Sequence, residues 1–257
     1  MPDSFAEILE KGFEHCRDMD APLSARLEAF ADIVRTLGPS FAETVDRLVL
    51  RLQNNGAGSN APHVGDPMPP FLLPGEQGRL IALEALLRET PVAVTFHRGH
   101  WCPYCRINTY ALAKAQRQIG MDRGRIVAIM PDRQQFAEAF KSEAKAEFPI
   151  LTDLDNGYAL SLNLAIWVGK EMAELMKSAG WDVPSYQGND SWMLPIPATF
   201  VIGTDGQVKA RFVDPDYRKR MYVNRGFARR SQKRALVLFA RRHAAAVRKA
   251  TNRRKRS

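Results

Sequence analysis

The sequence has few cysteines, no long hydrophobic run and no secretory signal. Three cysteines among 257 residues exclude the multi-disulfide framework of small secreted domains. No apolar run approaches the roughly 20 residues of a membrane span. The opening residues 1–5 (MPDSF) lack the basic and then apolar order of a signal peptide. We therefore expect a soluble protein located in the cytoplasm.

Acidic residues are absent from the C-terminal end of the chain. Residues 218–257 hold 16 of the 37 Lys and Arg residues and none of the 28 Asp and Glu residues. The preceding 217 residues therefore carry 21 basic and 28 acidic side chains. The net charge of +9 thus belongs to a basic tail, while the body of the protein is acidic.

Three apolar stripes at helical spacing predict helices in the first 55 residues. Breaks fall at residues 20–22 and 38–39, where proline and glycine disfavour a continuing helix. We interpret residues 1–55 as a helical extension and the polar residues 56–61 as a linker. Cys16 lies on the apolar stripe of the first helix. It is interpreted as a small buried hydrophobic residue, and a resolving thiol is the alternative.

Short β-branched runs alternate with helical stretches between residues 62 and 217. Strands are expected at 92–96, 126–130 and 150–151, and helices at 103–118, 134–146 and 170–178. An Asp-Gly turn within residues 203–206 joins two strand-like runs, 198–202 and 207–213, and predicts a β-hairpin. This alternation predicts an α/β domain over residues 62–217 with buried strands. Residues 218–257 are predicted to be helical or disordered.

Cys102 and Cys105 form a C-x-x-C pair between a predicted strand and a predicted helix. With Cys102 at the N-cap and Pro103 at the first helical position, the sulfur faces the positive end of the helix dipole. Nearby positive charge is added by Arg98, His100 and Arg106. Such surroundings lower a cysteine pKa from about 8.5 to between about 3.5 and 7.5. The pair is therefore predicted to be redox-active, with Cys105 able to close an intramolecular disulfide.

Two other uses of the pair are disfavoured. Zinc could take His97 and His100 with the two cysteines, but no second C-x-x-C or H-x-x-x-H motif completes such a site. A purely structural pair is also disfavoured, because reduced intracellular pairs are more often catalytic or metal-binding. We expect neither a metal nor an organic cofactor.

The segment Trp101-Cys102-Pro103-Tyr104-Cys105 after a strand, with residues 197–202 (PATFVI) later, resembles the thioredoxin superfold. With residues 64–69 (VGDPMP), the stretch 62–217 is similar to the peroxiredoxin-like branch of the alkyl hydroperoxide reductase/thiol-specific antioxidant (AhpC/TSA) family. The resemblance implies a central mixed sheet flanked by helices. It also implies a cis-proline at Pro197 facing the cysteines, an ordinary trans proline being the alternative, and electrons from thioredoxin or glutathione.

The sequence departs from the pattern of that family. The family's usual motif is P-x-x-x-T-x-x-C with an arginine before the late strand. When Cys105 is aligned to that cysteine, Arg98, Cys102 and Pro197 replace the Pro, the Thr and the Arg. Arg98 is then the candidate donor to a peroxide, while C-P-Y-C is equally the sequence of glutaredoxin-type exchange.

Two functions of the redox site therefore stay open. The first is thiol-dependent reduction of hydroperoxides, and the alternative is general thiol–disulfide exchange. Exposure at the helix start favours attack by Cys102, whereas the peroxiredoxin alignment favours Cys105. We expect Cys102 to attack and Cys105 to resolve, with support from Arg98, Trp101, Pro103 and Pro197.

The basic tail suggests a function of a different class. Basic doublets in residues 218–257 surround an apolar stretch and could form a basic amphipathic helix. Such a surface binds nucleic acid or anionic membranes through salt-sensitive contacts. The third hypothesis is thus a polyanion-binding protein with the redox domain as its sensor. A tail without a dedicated partner is the simpler alternative.

Overall fold

A computed structural model of the chain describes residues 5–119 and 124–221. The helices are α1 (Phe5–Asp18), α2 (Leu23–Leu37), α3 (Pro39–Asn54), α4 (Leu83–Leu87), α5 (Pro103–Ile119), α6 (Gln134–Ala144), α7 (Gly157–Ser161), α8 (Lys170–Ser178) and α9 (Val183–Gln187). The strands are β1 (Leu72–Pro74), β2 (Leu80–Ala82), β3 (Val92–Phe96), β4 (Arg125–Met130), β5 (Ile150–Thr152), β6 (Ala165–Trp167), β7 (Met193–Pro195), β8 (Ala198–Ile202) and β9 (Val208–Val213).

A five-stranded mixed sheet with the order β5-β4-β3-β8-β9 forms the centre of the protein. Strands β3, β4 and β5 are parallel, because helices connect them, while β8 and β9 form the antiparallel hairpin that the Asp-Gly turn predicts. Parallel neighbours end at the same edge of a sheet. The loops after β3 and β4, at residues 97–102 and 131–133, therefore lie together at one edge.

Side chains of the central strands alternate between two apolar clusters, one on each face of the sheet. Along β3, Val92, Val94 and Phe96 belong to one cluster and Ala93 to the other. Every residue of this strand is buried, since helices cover both faces. The predicted α/β class, with a mixed sheet flanked by helices, is confirmed.

The three predicted N-terminal helices are also confirmed, and they share a core with α5. Phe13, Cys16 and Phe30 are fully buried in the cluster that includes the C-x-x-C helix. The rings of Phe30 and Tyr104 pack edge to face at 5.1 Å. Cys16 is thus a buried core residue, as its position on the stripe predicts, and burial raises the pKa of its thiol.

Ion pairs fix this helical extension to the rest of the protein. Arg106 in α5 binds Glu10 in α1 at 2.6 Å. Arg47 in α3 binds Glu171 in α8 at 2.5 Å. Exposed pairs of this kind contribute little stability each, but they fix which faces meet. The extension therefore lies directly over the helix that carries the cysteines.

The polar segment 56–61, interpreted above as a linker, is packed against β9. The Arg211 guanidinium donates to the carbonyl oxygens of Gly58 and Ala61 at 3.1 and 3.0 Å. Gly58 has a φ of +77°, and a Cβ there would lie 2.7 Å from Val213 Cγ1. Composition indicates turn residues correctly but carries no information about these contacts. The division into domains stays a prediction.

Several short strands and helices are not predicted by the sequence patterns. The strands β1, β2, β6 and β7 have three residues each, and α4, α7 and α9 have five each. The segment 183–187 forms α9, because Pro184 is accepted in the first turn of a helix. Elements this short are too brief for periodicity to identify.

Among the helices that the structure describes, none combines the length and the apolar character needed to span a bilayer.

The shared core predicts that the helical extension unfolds together with the sheet. Phe30→Ala should lower the free energy of unfolding by about 3 to 5 kcal/mol, because it leaves a cavity against Tyr104. Leu50→Ala, at an exposed position of α3, should change it by less than about 0.5 kcal/mol. Guanidinium titration followed by circular dichroism measures both. A separate early transition in Phe30→Ala, with the main one unchanged, would contradict a common core.

Candidate active site

The cysteine pair lies in the loop between β3 and α5, at the edge where β3 and β4 end. The loop turns at Gly99, whose φ of +149° is a conformation that side chains rarely adopt. A Cβ at Gly99 would also collide with the Trp101 indole and lie 2.7 Å from Asp132 Oδ1. Glycine is therefore needed here, because a side chain would displace Trp101 and Asp132 from their positions against the loop.

Helix α5 begins as the sequence predicts. Pro103 is its first residue, and the carbonyl oxygen of Cys102 accepts from the backbone N–H groups of Cys105 and Arg106 at 3.0 Å. Cys102 is thus the N-cap. The predicted exposure of Cys102 is wrong, however, because the residue is 1% exposed and Cys105 is 0% exposed. Side chains of α2, α3 and α8 cover this end of α5.

Hydrogen-bond donors converge on the sulfur of Cys105. The backbone N–H of Arg98 donates to it at 3.3 Å. The guanidinium Nη2 of Arg220 lies 3.4 Å from the same sulfur. His97 lowers the pKa of this thiol, while its Nε2 contacts Thr95 Oγ1 at 3.3 Å and its Nδ1 has no hydrogen-bond partner among the described residues. Such donors stabilise a thiolate.

The two thiols of the pair differ in acidity. Burial raises the pKa of Cys102 well above the ordinary value, and the hydrogen bond and negative charge of Cys105 raise it further. Burial also opposes ionisation of Cys105, but the Cys102 thiol, Arg220 and His97 outweigh it, and its pKa falls well below the ordinary value. The thiol with the lowered pKa is therefore that of Cys105, contrary to the expectation that the helix terminus favours Cys102.

Of the three cationic residues predicted near the sulfurs, only Arg98 stays there. Its backbone binds Cys105, and its guanidinium lies 3.8 Å from the centre of the Tyr217 ring. The charge of Arg98 lowers the pKa of Cys102, although burial dominates. His100 and Arg106 instead bind Glu143 at 2.8 Å each. Because both side chains bind that carboxylate and neither binds a sulfur, their predicted part in activating the thiols is wrong.

A small apolar pocket opens over Cys102. It holds about 20 Å³, and a water molecule needs about 10 to 15 Å³ measured this way. Its walls come from α2, α3, α8, the loop before α5 and residues beyond β9, namely Val34, Phe41, Arg98, Trp101, Pro103, Tyr104, Met172, Met176, Trp181 and Tyr217. The pocket therefore admits a molecule little larger than water.

Asp132 is a buried acid beside the pair that the sequence analysis missed. Its Oδ2 accepts from the backbone N–H of His100 at 2.7 Å, and its Oδ1 has no hydrogen-bond partner among the described residues. Burial raises the pKa of Asp132 to about 8, and the nearby Cys105 thiolate adds to this. Its position in the sequence, directly after the predicted strand β4, could have placed it at the same sheet edge as the cysteine pair.

Pro197 lies where the resemblance implies, but its geometry differs. The pairing of Thr95 with Thr199 brings the start of β8 to the end of β3, and Pro197 is buried there. No cis peptide bond occurs in residues 5–119 and 124–221, so the cis-proline expectation is wrong and the trans alternative is correct. Pro197 belongs to an extended connection between β7 and β8, where no tight turn requires the costlier cis form.

In the described part of the chain, no group of three or more His, Cys, Asp or Glu side chains is arranged to hold a metal ion. All three cysteines are free thiols. The chemistry available here is therefore that of a dithiol whose charged sulfur is surrounded by donors and closed off from bulk water.

Comparison with known families gives one match that covers most of the sheet and the site. The sequence model of the AhpC/TSA family matches residues 64–211, which include Cys102 and Cys105 and exceed half of the chain. The search of curated proteins produced no match.

Solved structures similar to this chain include two peroxiredoxin-type proteins. Peroxidoxin BcpB from Mycobacterium tuberculosis is 20% identical, with a TM-score of 0.48, and the alignment covers 61% of this chain and 91% of that chain. The yeast mitochondrial 1-Cys peroxiredoxin is 17% identical, with a TM-score of 0.46 and coverage of 60% and 68%.

A thiol:disulfide interchange protein is also among the similar structures. The protein described as a putative DsbE from Chlorobium tepidum is 21% identical, with a TM-score of 0.40 and coverage of 60% of this chain and 87% of that chain.

The difference between the two thiols predicts a single thiolate at neutral pH. Absorbance at 240 nm should report one ionised thiol in the reduced protein at a pH where ordinary cysteines, with pKa values of about 8.5, are protonated. Cys105→Ser should abolish this signal, and Cys16→Ser should leave it unchanged. Retention of the low-pH signal in Cys105→Ser, with its loss in Cys102→Ser, would assign the charge to the other sulfur.

The protonated state of Asp132 predicts that its contribution to stability decreases as pH rises. The unfolded chain releases this proton near the ordinary pKa of 3.8, while the folded protein keeps it until about pH 8. Between these pH values the folded state binds one more proton at Asp132 than the unfolded chain does. The free energy of unfolding therefore falls by up to about 1.4 kcal/mol for each pH unit. Asp132→Asn keeps the acceptor for His100 and should become more stable than the wild type as pH rises from 4.5 to 7.5.

Denaturant titrations across this pH range check that prediction, with the exposed Asp190→Asn as control. The difference between Asp190→Asn and the wild type should be flat with pH. A flat difference for Asp132→Asn as well would show that Asp132 is ionised in the folded protein.

Proposed function

The chain belongs to the AhpC/TSA family, and from this membership we propose that it reduces hydroperoxides with the dithiol of Cys102 and Cys105. The family is one of thiol-dependent oxidoreductases, which makes this chain an enzyme of that class. The observation that carries the finer proposal is the convergence of Arg98 N–H and Arg220 on one buried sulfur. A peroxidase needs such donors for the oxygen that leaves.

The thiolate of Cys105 begins the reaction. Its sulfur attacks one peroxide oxygen, an S–O bond forms, and the O–O bond breaks. The sulfur is thereby oxidised to a sulfenic acid, and the departing oxygen leaves with the bonding electron pair. The neighbouring Cys102 thiol, which hydrogen-bonds Cys105, supplies a proton to this oxygen and gives an alcohol or water.

The second half of the reaction closes the disulfide. The Cys102 thiolate formed by proton loss attacks the sulfenic sulfur of Cys105, and hydroxide leaves and is protonated to water. The two residues are one helical turn apart, so the bridge closes without a partner chain. This assignment reverses the order expected from the sequence, because the donors lie at Cys105 and exposure no longer favours Cys102.

The pocket over Cys102 supports a small peroxide as the substrate, which must pass Cys102 to reach the Cys105 sulfur because Cys105 does not line the pocket. About 20 Å³ of space accommodates a molecule of the size of hydrogen peroxide but not a peptide disulfide. Exclusion of water around the thiolate also strengthens its interaction with the fixed donors. Bulky hydroperoxides would require the helices over Cys102 to separate.

Re-reduction requires a dithiol or thiol partner, of the thioredoxin or glutathione class. Cys102 lines the pocket whereas Cys105 does not, so an incoming thiolate would attack the disulfide at Cys102 after the helices that close the pocket separate. Cys105 would then leave as the more acidic thiol, which is the faster leaving group. The identity of the reductant and the cytoplasmic location stay predictions.

The second candidate function is thiol–disulfide exchange without peroxidase activity. The C-P-Y-C sequence favours it, whereas the small volume of the pocket over Cys102 disfavours a disulfide substrate. The third hypothesis, polyanion binding, depends on residues 222–257, which lie outside the described residues, and it stays a prediction.

Stopped-flow tryptophan fluorescence of the reduced protein distinguishes the first two functions, because Trp101 adjoins the pair. We expect a fast signal with hydrogen peroxide and a rate at least about tenfold lower with cumene hydroperoxide, which exceeds the pocket. Cys16→Ser should behave like the wild type, and the double variant Cys102→Ser/Cys105→Ser should give no signal. No response to peroxide with a prompt response to oxidised glutathione would establish exchange and contradict the peroxidase.

A further inference from the structure

The segment after β9 returns to the cysteine pair. We call residues 214–221 the strap; it follows Val213 and lies beyond the part of the chain that matches the family, which ends at residue 211. Arg218 fixes the strap by binding Asp216 at 2.8 Å and Asp46 of α3 at 2.6 Å. The pair with Asp46 fixes the strap to the helical extension, and the pair with Asp216 lies within the strap.

Two strap residues enter the site itself. The Tyr217 ring is buried, packs edge to face on Tyr104 at 5.5 Å, and lies under the Arg98 guanidinium at 3.8 Å. Arg220 then directs its Nη2 to Cys105 Sγ at 3.4 Å. Its Nη1 donates to the carbonyl oxygens of Tyr217 and Lys219, which orients the guanidinium toward the sulfur.

We propose that Arg220 is a catalytic residue supplied by the strap, whose guanidinium provides the positive charge at Cys105 and donates an N–H to the oxygen that leaves the peroxide. The second role rests on the proposed function, whereas the first is a property of the resting dithiol. The described family region alone would then be an incomplete active site. The strap would be required for its chemistry.

The cationic side chains near the pair differ in whether they reach the Cys105 sulfur. Arg106 and His100 are taken up by Glu143, and the Arg98 guanidinium lies on Tyr217 while only its backbone reaches Cys105. Arg220 is thus the guanidinium whose nitrogen contacts the sulfur in the described part of the chain. The titratable and charged groups that face Cys105 are Cys102, His97, Arg98, Asp132 and Arg220.

The geometry of Arg220 suits both roles. A guanidinium has five N–H donors in a fixed plane, and its Nε has no partner among the described residues. One N–H can therefore bind the sulfur while another binds an oxygen next to it. In the reaction described above, the sulfur is oxidised and the leaving oxygen gains the electron pair, so positive charge at this point stabilises both the starting thiolate and the product oxygen.

Arg220→Met is the variant that tests the proposal, with thiolate absorbance at 240 nm as the first measurement. Removal of an opposite charge at this distance should raise the pKa of Cys105 by about 1 to 3 pH units. The rate with hydrogen peroxide at pH 6 should fall by about tenfold or more. Arg220→Lys should retain part of the thiolate signal but lose the planar fork.

Lys219→Met is the matched control. It removes the same charge from the neighbouring position, where the Lys219 ammonium group pairs with Asp214 and Asp216. Its thiolate titration and peroxide rate should equal those of the wild type. Near-ultraviolet circular dichroism checks that each variant is folded. If Arg220→Met does not fold, comparison of Arg220→Lys with Lys219→Met decides the question.

The outcomes separate the two proposals. If Arg220→Met folds, a thiolate titration equal to that of the wild type would overturn the role of Arg220. If only Arg220→Lys folds, a wild-type titration together with a wild-type peroxide rate in that variant would overturn it. A raised pKa in Arg220→Met together with no peroxide reaction in the wild type would contradict the peroxidase and the leaving-oxygen role, yet establish Arg220 as the charge at Cys105.

Discussion

A negative sulfur that is buried away from water must be stabilised by donors and positive charge that replace the lost water. At Cys105 these are the Arg98 N–H, the His97 ring and the Arg220 guanidinium. They come from the loop after β3 and from the strap, two segments more than 100 residues apart in sequence. The fold brings them together because β8 lies next to β3 in the sheet and β9, which leads into the strap, lies next to β8. Formation of the thiolate therefore depends on the complete tertiary structure.

The two buried cysteines have different surroundings, and these give them separate roles in the proposed chemistry. Cys105 is surrounded by donors and takes the charge, while Cys102 stays protonated and faces the small pocket. A protonated neighbour suits the proposed reaction, since it can give its proton to the leaving oxygen and then act as the resolving thiol. The helical extension closes the pocket through Val34 and Phe41. It thereby limits access to small molecules and makes the reactivity of the pair depend on residues outside the family region.

Local features of the sequence predicted a large part of this arrangement. Alternating patterns gave β3 and α8 with their observed bounds, the breaks between the N-terminal helices, and Cys102 at the N-cap with Pro103 after it. These depend on residues close together in the chain. The burial of Cys102 could not be predicted, because the side chains that cover it come from α2, α3 and α8, which are distant in sequence. Arg106 lies within one turn of the cysteines but binds Glu10 and Glu143, so proximity in sequence overstated its effect. Arg220, in contrast, was read as part of a basic tail, since nothing in the local sequence links residue 220 to residue 105.

The identity of the sulfur that attacks is the central claim, and trapping of its sulfenic acid tests it most directly. Reduced Cys102→Ser and Cys105→Ser would each receive one equivalent of hydrogen peroxide with dimedone, and peptide mass spectrometry would locate the adduct. The account predicts rapid labelling of Cys105 in Cys102→Ser and little labelling of Cys102 in Cys105→Ser. Rapid labelling of Cys102 in Cys105→Ser, with Cys105 unlabelled in Cys102→Ser, would contradict it and restore the order expected from exposure at the helix start.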